Sequence, residues 1–138
     1  MYIVIIGCGT VGSLVANSLS KEGHDVVVID NDETSFENLS SEFSGFRILG
    51  DGGEVEILKQ ADIEKAEAVF LTTRKDNLNL TIAQVAKTIF GIPCVVARIF
   101  DPKRGEIFSS SGIKTISPTR IAVEEFLKAI QSCQEPKL

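Results

Sequence analysis

No apolar run in this 138-residue chain is long enough to span a bilayer, so the chain is not expected to be membrane-embedded itself. Positive charge is scarce. Fourteen Lys and Arg stand against 19 Asp and Glu, and the net charge of −5 disfavours nucleic acid and anionic membrane surfaces as partners. Cysteine is sparse too. Cys8, Cys94 and Cys133 have no metal-ligand spacing and leave an odd count, which reads as reduced thiols in a cytosolic protein. Cys8 lies between two glycines, as a small filler or as a reactive thiol; the filler is the simpler reading. His24 is the single histidine, placed in a turn remote from the expected ligand crevice, so it reads as a surface residue. The opening Met1-Tyr-Ile-Val-Ile-Ile6 has no basic leader and runs into glycines, so it reads as a strand rather than a signal core. No linker, repeat or low-complexity tract interrupts the chain. With 43% hydrophobic residues it has material for one domain with a sizeable core.

What is present begins at residue 2. Tyr2-Ile-Val-Ile-Ile6 is an apolar strand that enters Gly7-Cys-Gly9-Thr-Val-Gly12 and opens an amphipathic helix. A second apolar strand, Val26-Val-Val-Ile, ends in Asp30. This is the setting a dinucleotide-binding βαβ unit requires of its glycine triplet. Gly7 permits the tight turn, Gly9 lets a pyrophosphate approach the backbone, and Gly12 lets the helix pack closely on the sheet. The N–H groups near Thr10 and Val11 are open first-turn donors at the positive end of a helix dipole. Asp30, placed to accept hydrogen bonds from adenosine ribose hydroxyls, repels a 2′-phosphate and so disfavours NADP. Val11, Leu14, Val15, Ser18 and Leu19 fall at helical spacing and predict one buried face. The alternative is a glycine turn that binds nothing.

Strands and helices then alternate. The pattern predicts a short helix over 34–42 with Phe36, Leu39 and Phe43, and a strand at Phe46–Leu49. A helix over 54–61 and a strand at Ala68–Leu71 follow. A long helix over 76–90 presents Leu78, Ile82, Val85, Ala86 and Ile89, and leads to a strand over 94–99. A helical turn over 104–110, a strand at Lys114–Ile116 and a final helix from Ser117-Pro118 to about Ser132 complete the pattern. Residues 134–138 read as a frayed tail, leaving 1–133 as one nucleotide-binding domain. The expected fold is α/β, a Rossmann-like doubly wound parallel sheet of six strands in the order 3-2-1-4-5-6, with a ligand over the carboxyl ends of strands one and four.

The final helix carries Ile121, Val123, Phe126, Leu127 and Ile130, with Ala122 and Ala129 as a second edge. That is more apolar surface than docking one face on a sheet requires, so a second subunit is expected there. The other reading is a helix tucked into its own domain.

After the glycine turn and Asp30 come Gly50-Asp51, Thr72-Thr73, Asp76-x-x-Asn79-Leu80, Ala97-Arg98, Asp101-Pro102 and Gly112-Ile-Lys-Thr-Ile-Ser-Pro118. This order of short motifs resembles the N-terminal lobes of potassium-conductance regulators, the Trk/Ktr-type cytoplasmic subunits that carry the KTN, TrkA-N or RCK domain. The resemblance spans nearly the whole chain.

The resemblance implies a regulatory subunit that senses NAD or NADH, or alternatively AMP, ADP or ATP. It implies a homodimer or ring formed through the final helix, or assembly with a sister RCK chain, beneath a membrane potassium channel or transporter. The location implied is cytoplasmic, at the inner face of the membrane through that partner. By position, Gly7, Gly9 and Gly12 hold phosphates together with the Thr10 and Val11 amides, Asp30 holds the ribose, and Asn31 lies beside the adenosine. Asp51 flanks the adenine, while Thr72 and Arg98 line the phosphate side. From the residues alone, Asp51 reads equally as a cap for the next helix, Arg98 as an ion-pair partner, and Thr72 and Asn79 as turn and cap residues. Many members sensing ATP carry arginine directly after the second glycine, where this chain has Thr10. The small C-terminal lobe of many regulators is expected to be absent.

An oxidoreductase is the opposing reading, since the first thirty residues alone fit one. It would need a proton donor or acceptor near the nicotinamide and a substrate domain. His24 is misplaced, Lys75 and Asp76 read as a solvated helix start, and no Ser/His/Asp or Cys/His constellation appears. The chain is therefore expected not to be an enzyme. A nucleotide or redox sensor unrelated to ion transport is a third reading.

Overall fold

The structure, a computed structural model, describes residues 1–134. Its strands are β1 (Tyr2–Ile6), β2 (Asp25–Asp30), β3 (Phe46–Leu49), β4 (Ala68–Leu71), β5 (Cys94–Arg98) and β6 (Lys114–Ile116). Its α-helices are α1 (Thr10–Lys21), α2 (Val55–Gln60), α3 (Asp76–Thr88), α4 (Pro102–Phe108) and α5 (Pro118–Gln134). Short 3-10 turns occupy Glu33–Asn38, Ile63–Lys65 and Ser109–Ser111. All six strands pair in parallel in the order β3-β2-β1-β4-β5-β6, the expected double winding. Ile6 lies level with Ile29 on one side and with Leu71 on the other. The segments that leave β1, β2 and β4 therefore emerge side by side at one edge.

Because strand side chains alternate, β1 feeds two cores. Val4 and Ile6 join Val27, Ile29, Val69, Leu71 and Val95 beneath α2 and α3. Ile3 and Ile5 join Val26, Val28 and Ala68 against Ala16, Leu39 and Phe43. Strands buried on both faces need continuous apolar runs, and β1 and β2 supply them.

Three local expectations are corrected. The buried row of α1 is Gly12, Ser13 and Ala16; Val15 and Leu19 are half-buried, while Ser18, Leu14 and Val11 lie outside. Small residues win that face because α1 crosses very close to the sheet, and larger side chains are displaced to its flanks. The segment over 34–42 is not an α-helix but a 3-10 turn that stops at Asn38. Asp32 caps it, accepting from Thr34 N and Oγ1 at 3.0 and 2.7 Å, and Leu39 is already extended. Leu39 and Phe43 still reach the core, from an irregular segment. In α3, Ile82 and Ala86 are buried as expected, but Ile89 is exposed, and Asn79, Leu80 and Ala83 complete the inner face.

Helix α5 touches the rest of the domain only lightly among the described residues, with Arg120 4.0 Å from Glu106 of α4 and Ile121 and Glu124 beside Pro102 and Gly105. None of its 17 residues is buried, and Phe126 is 77% exposed. Val123, Phe126, Leu127 and Ile130 fall at i, i+3, i+4 and i+7, an apolar stripe opposite Glu124, Glu125 and Lys128. The helix runs through Gln134, two residues beyond the expected end; the rest of the anticipated tail, 135–138, lies outside the described residues.

Candidate nucleotide site

Where the chain leaves β1 it makes the turn that shapes everything above it. Gly7 has φ +110°, a conformation open to glycine and strained for other residues. A Cβ on Gly12 would run into the Gly7 carbonyl oxygen and stand 2.6 Å from Thr72 Oγ1. A Cβ on Gly9 would meet nothing within 4 Å. The first and third glycines are thus required by the fold itself. Gly9 is required by nothing among the described residues, which leaves room for something outside the chain. Among the described residues no side chain caps α1 at Gly9, and Thr10 and Val11 line the cleft, so their first-turn amides are open as anion donors.

That cleft, about 630 Å³, lies over the carboxyl ends of β1, β2 and β4. It is within the size range of small-molecule sites. Of the ten residues singled out from the sequence, nine line it: Gly7, Gly9, Thr10, Val11, Asp30, Asn31, Asp51, Thr72 and Arg98. Gly12 lies beneath, closing α1 onto the turn.

The neighbours assign each side chain a task. Asp30 accepts from Cys8 N at 2.7 Å through one carboxylate oxygen and from Asp32 N at 2.8 Å through the other. It therefore braces the glycine turn, a role invisible in the motif. A carboxylate has about four lone-pair positions, so two stay open to a pair of ribose hydroxyls. Asn38 supports the turn from the other side, donating to Cys8 O at 3.1 Å. The Cys8 thiol is fully buried; burial, with the Asp30 charge beside it, pushes its pKa up to about 11. It is a protonated filler, not a nucleophile.

Asp51 does not cap α2, whose N-cap is Glu54. It accepts from Gly53 N at 2.8 Å and closes a tight turn at the cleft wall. Thr72 ties β4 to β1, its Oγ1 lying 2.8 Å from Gly7 O and 3.2 Å from Ile6 O. With its single proton directed to those carbonyls, the hydroxyl has none for a phosphate. Arg98 makes no ion pair among the described residues. Its guanidinium lies 4.7 Å from the Phe100 ring centroid, and its Nε is buried without a hydrogen-bond partner.

Asn79 is completely buried and makes a clamp. Its Oδ1 accepts from Thr73 N and Oγ1 at 3.2 and 2.5 Å; its Nδ2 donates to Thr73 O at 3.0 Å and to Arg98 O at 2.9 Å. One amide thereby holds the loop after β4 and the end of β5 together. It is a cross-strand tie rather than a cap.

The sequence reading missed Asp32, Ser35 and Asn38 after β2 and Arg74 after β4, all in the cleft wall; Lys75, read as a solvated helix start, is there too. The expected strand order was signal enough to find them, since loops after β2 and β4 must flank the crevice. With them included, charge separates across the cleft. Asp30, Asp32 and Asp51 stand on the β2–β3 side, and Arg74, Lys75 and Arg98 on the β4–β5 side. The hydroxyl and amide of Thr34 hold the Asp32 carboxyl below the usual carboxylate range. Among the described residues no group of His, Cys, Asp and Glu is arranged to hold a metal.

Residues 3–118 match the TrkA-N domain. The chain belongs to the TrkA-N family. Its relatives include the Trk system potassium uptake protein TrkA of Streptomyces coelicolor, 43% identical over 130 residues, 94% of this chain and 58% of that protein. A TrkA homologue of Methanothermobacter thermautotrophicus is 37% identical over 131 residues, 94% of this chain and 60% of that one. The chain thus spans about three fifths of the length of these TrkA-N relatives. In three dimensions it resembles the TrkA-N domain of the inner membrane protein ybaL from Escherichia coli, with TM-score 0.82 and 22% identity over 93% of this chain and 95% of that chain. It also resembles the Shewanella denitrificans Kef CTD in its AMP-bound form, with TM-score 0.80 and 19% identity over 98% and 83% of the two chains. The GsuK channel bound to NAD aligns at TM-score 0.72 and 18% identity, over 87% of this chain and 22% of the channel. These likenesses establish the TrkA-N fold. No helix among the described residues is long and apolar enough to cross a membrane.

Proposed function

We propose that this TrkA-N chain is the nucleotide-binding regulatory lobe of a potassium uptake system. The observation that carries the reading is the cleft, where a glycine turn with room only at Gly9 meets an acid positioned for ribose. An adenine nucleotide, NAD(H) or AMP, ADP or ATP, lies with its ribose on Asp30 and its adenosine along Asn31 and Asp51. Its phosphates cross the first turn of α1 toward Arg98. The Trk names of the relatives support the potassium assignment, and the AMP and NAD of the Kef and GsuK structures support the ligand class.

The lobe, residues 1–133, works as a sensor rather than an enzyme, a reading that the potassium-uptake names of the relatives support. Its place is the cytoplasmic face of the membrane, reached through a channel or transporter subunit. A 17-residue helix with no buried residue is marginal alone in water, so the stripe from Val123 to Ile130 packs on a second copy of this chain. A nucleotide that fits one arrangement of the paired lobes better than another shifts the population toward it, and α5 passes that geometry to the membrane partner.

The test is solution scattering of the chain with and without saturating ADP, alongside calorimetric binding. A dimer whose scattering profile changes on binding is the expected result. Binding that leaves the profile unchanged contradicts the mechanism.

A further inference from the structure

The side of the cleft beyond the glycine turn holds three cations. Arg74, Lys75 and Arg98 all line it, and none has an ion-pair partner among the described residues. The nearest acid in sequence, Asp76, is committed elsewhere: its carboxylate accepts from Phe100 N at 2.9 Å and Asp101 N at 3.4 Å. Arg98 Nε is a buried donor with no acceptor, an arrangement that proteins seldom leave unsatisfied.

The cations are also mounted firmly. Lys75 N donates to Thr73 Oγ1 at 3.2 Å, and Thr73 is gripped by the buried Asn79, which holds Arg98 O as well. The same amide therefore sets the spacing of both cation-bearing segments. Fixed cations facing an opening attract an anion without ordering the loop first.

We propose that Arg74, Lys75 and Arg98 form a phosphate clamp that makes this cleft select nucleoside di- and triphosphates over monophosphates. The inference rests on the nucleotide reading of the site and adds the ligand's charge to it. Phosphates beyond the first extend from the α1 amides into the cationic side, where the guanidinium forks of Arg74 and Arg98 take oxygens in pairs and Lys75 acts as a point charge. Cations from the loop after β4 and the end of β5 thus provide the charge that Thr10 cannot.

The test is calorimetric titration with AMP, ADP, ATP, NAD and NADH of the native chain and an Arg74→Gln/Lys75→Gln variant, at low and high salt. Both replaced residues are exposed and donate no side-chain bond within the fold, so the variant folds; thermal unfolding verifies it. In the native chain ATP is expected to bind about tenfold or more tightly than AMP, the gap shrinking with salt. In the variant ATP loses that advantage while AMP affinity stays within about twofold. Equal affinities for AMP and ATP in the native chain overturn the clamp and leave the site reading intact. A variant that loses AMP and ATP alike also overturns it, since the loop would then serve the site as a whole. Absence of binding by every nucleotide overturns the site reading itself.

Discussion

Asn79 is the residue whose loss should be felt furthest. Replacing it by alanine deprives three backbone groups of their partner: the Thr73 N–H, the Thr73 carbonyl and the Arg98 carbonyl. A buried polar group left without a partner costs about 1–3 kcal/mol. These groups are only part-buried and water can reach some of them, so the low end applies, roughly 3 kcal/mol in all. Asn79→Asp is the sharper variant. It keeps the acceptor for Thr73 but turns a donor into an acceptor facing two carbonyls, in a site with no exposure. At pH 7 it should be at least as damaging as alanine. Burial and those carbonyls raise the pKa of the new carboxyl, so its penalty should ease as pH falls and the group becomes a donor again. Urea unfolding with an unchanged m-value measures both. If Asn79→Asp unfolded within about 0.5 kcal/mol of the native chain at pH 7, the clamp would be wrong.

Phe126→Asp on the exposed stripe of α5 should turn a dimer into a monomer in sedimentation velocity without altering the unfolding of the sheet; a dimer that persists removes α5 from the interface. The Cys8 thiol gives a pH signature: because its folded pKa is raised to about 11 from 9.0, the unfolded chain releases the proton first. Its contribution to stability is therefore complete below pH 9 and lost as pH rises toward 11, and Cys8→Ser should flatten that decline in urea titrations. Tyr2, raised by burial and by Asp62 and Asp25, adds a decline of the same sign that the serine variant retains.

The sheet order was legible because apolar runs alternate with amphipathic ones and glycines mark the breaks. Strands β3, β4 and β6 fall where the sequence places them, and the cleft walls follow from the order. What could not be read was which face of α1 is inner. Hydrophobic spacing favoured Val11 and Leu14, whereas the approach fixed by Gly12 favours Ser13 and Ala16. The segment after β2 misled for a related reason: Phe36, Leu39 and Phe43 are spaced for a helix, but Asp32 capping and Ser40 bonding to Asn17 Oδ1 at 2.9 Å hold an irregular path. The double duty of Asp30 and the tie at Asn79 depend on contacts between residues 22 and 19 positions apart, which no local pattern encodes.

Gly9→Ala tests the central claim most directly, because it separates the fold from the site. A methyl at Gly9 meets nothing within 4 Å and the backbone there, at φ −76°, suits any residue. Stability should therefore fall by no more than about 1 kcal/mol, the difference between glycine and alanine at a helix N-cap. The same methyl stands where the pyrophosphate must approach the turn, so calorimetric affinity for ADP should fall about tenfold or more. ADP binding equally to both proteins would show that no phosphate lies over the glycine turn, and the account would fail.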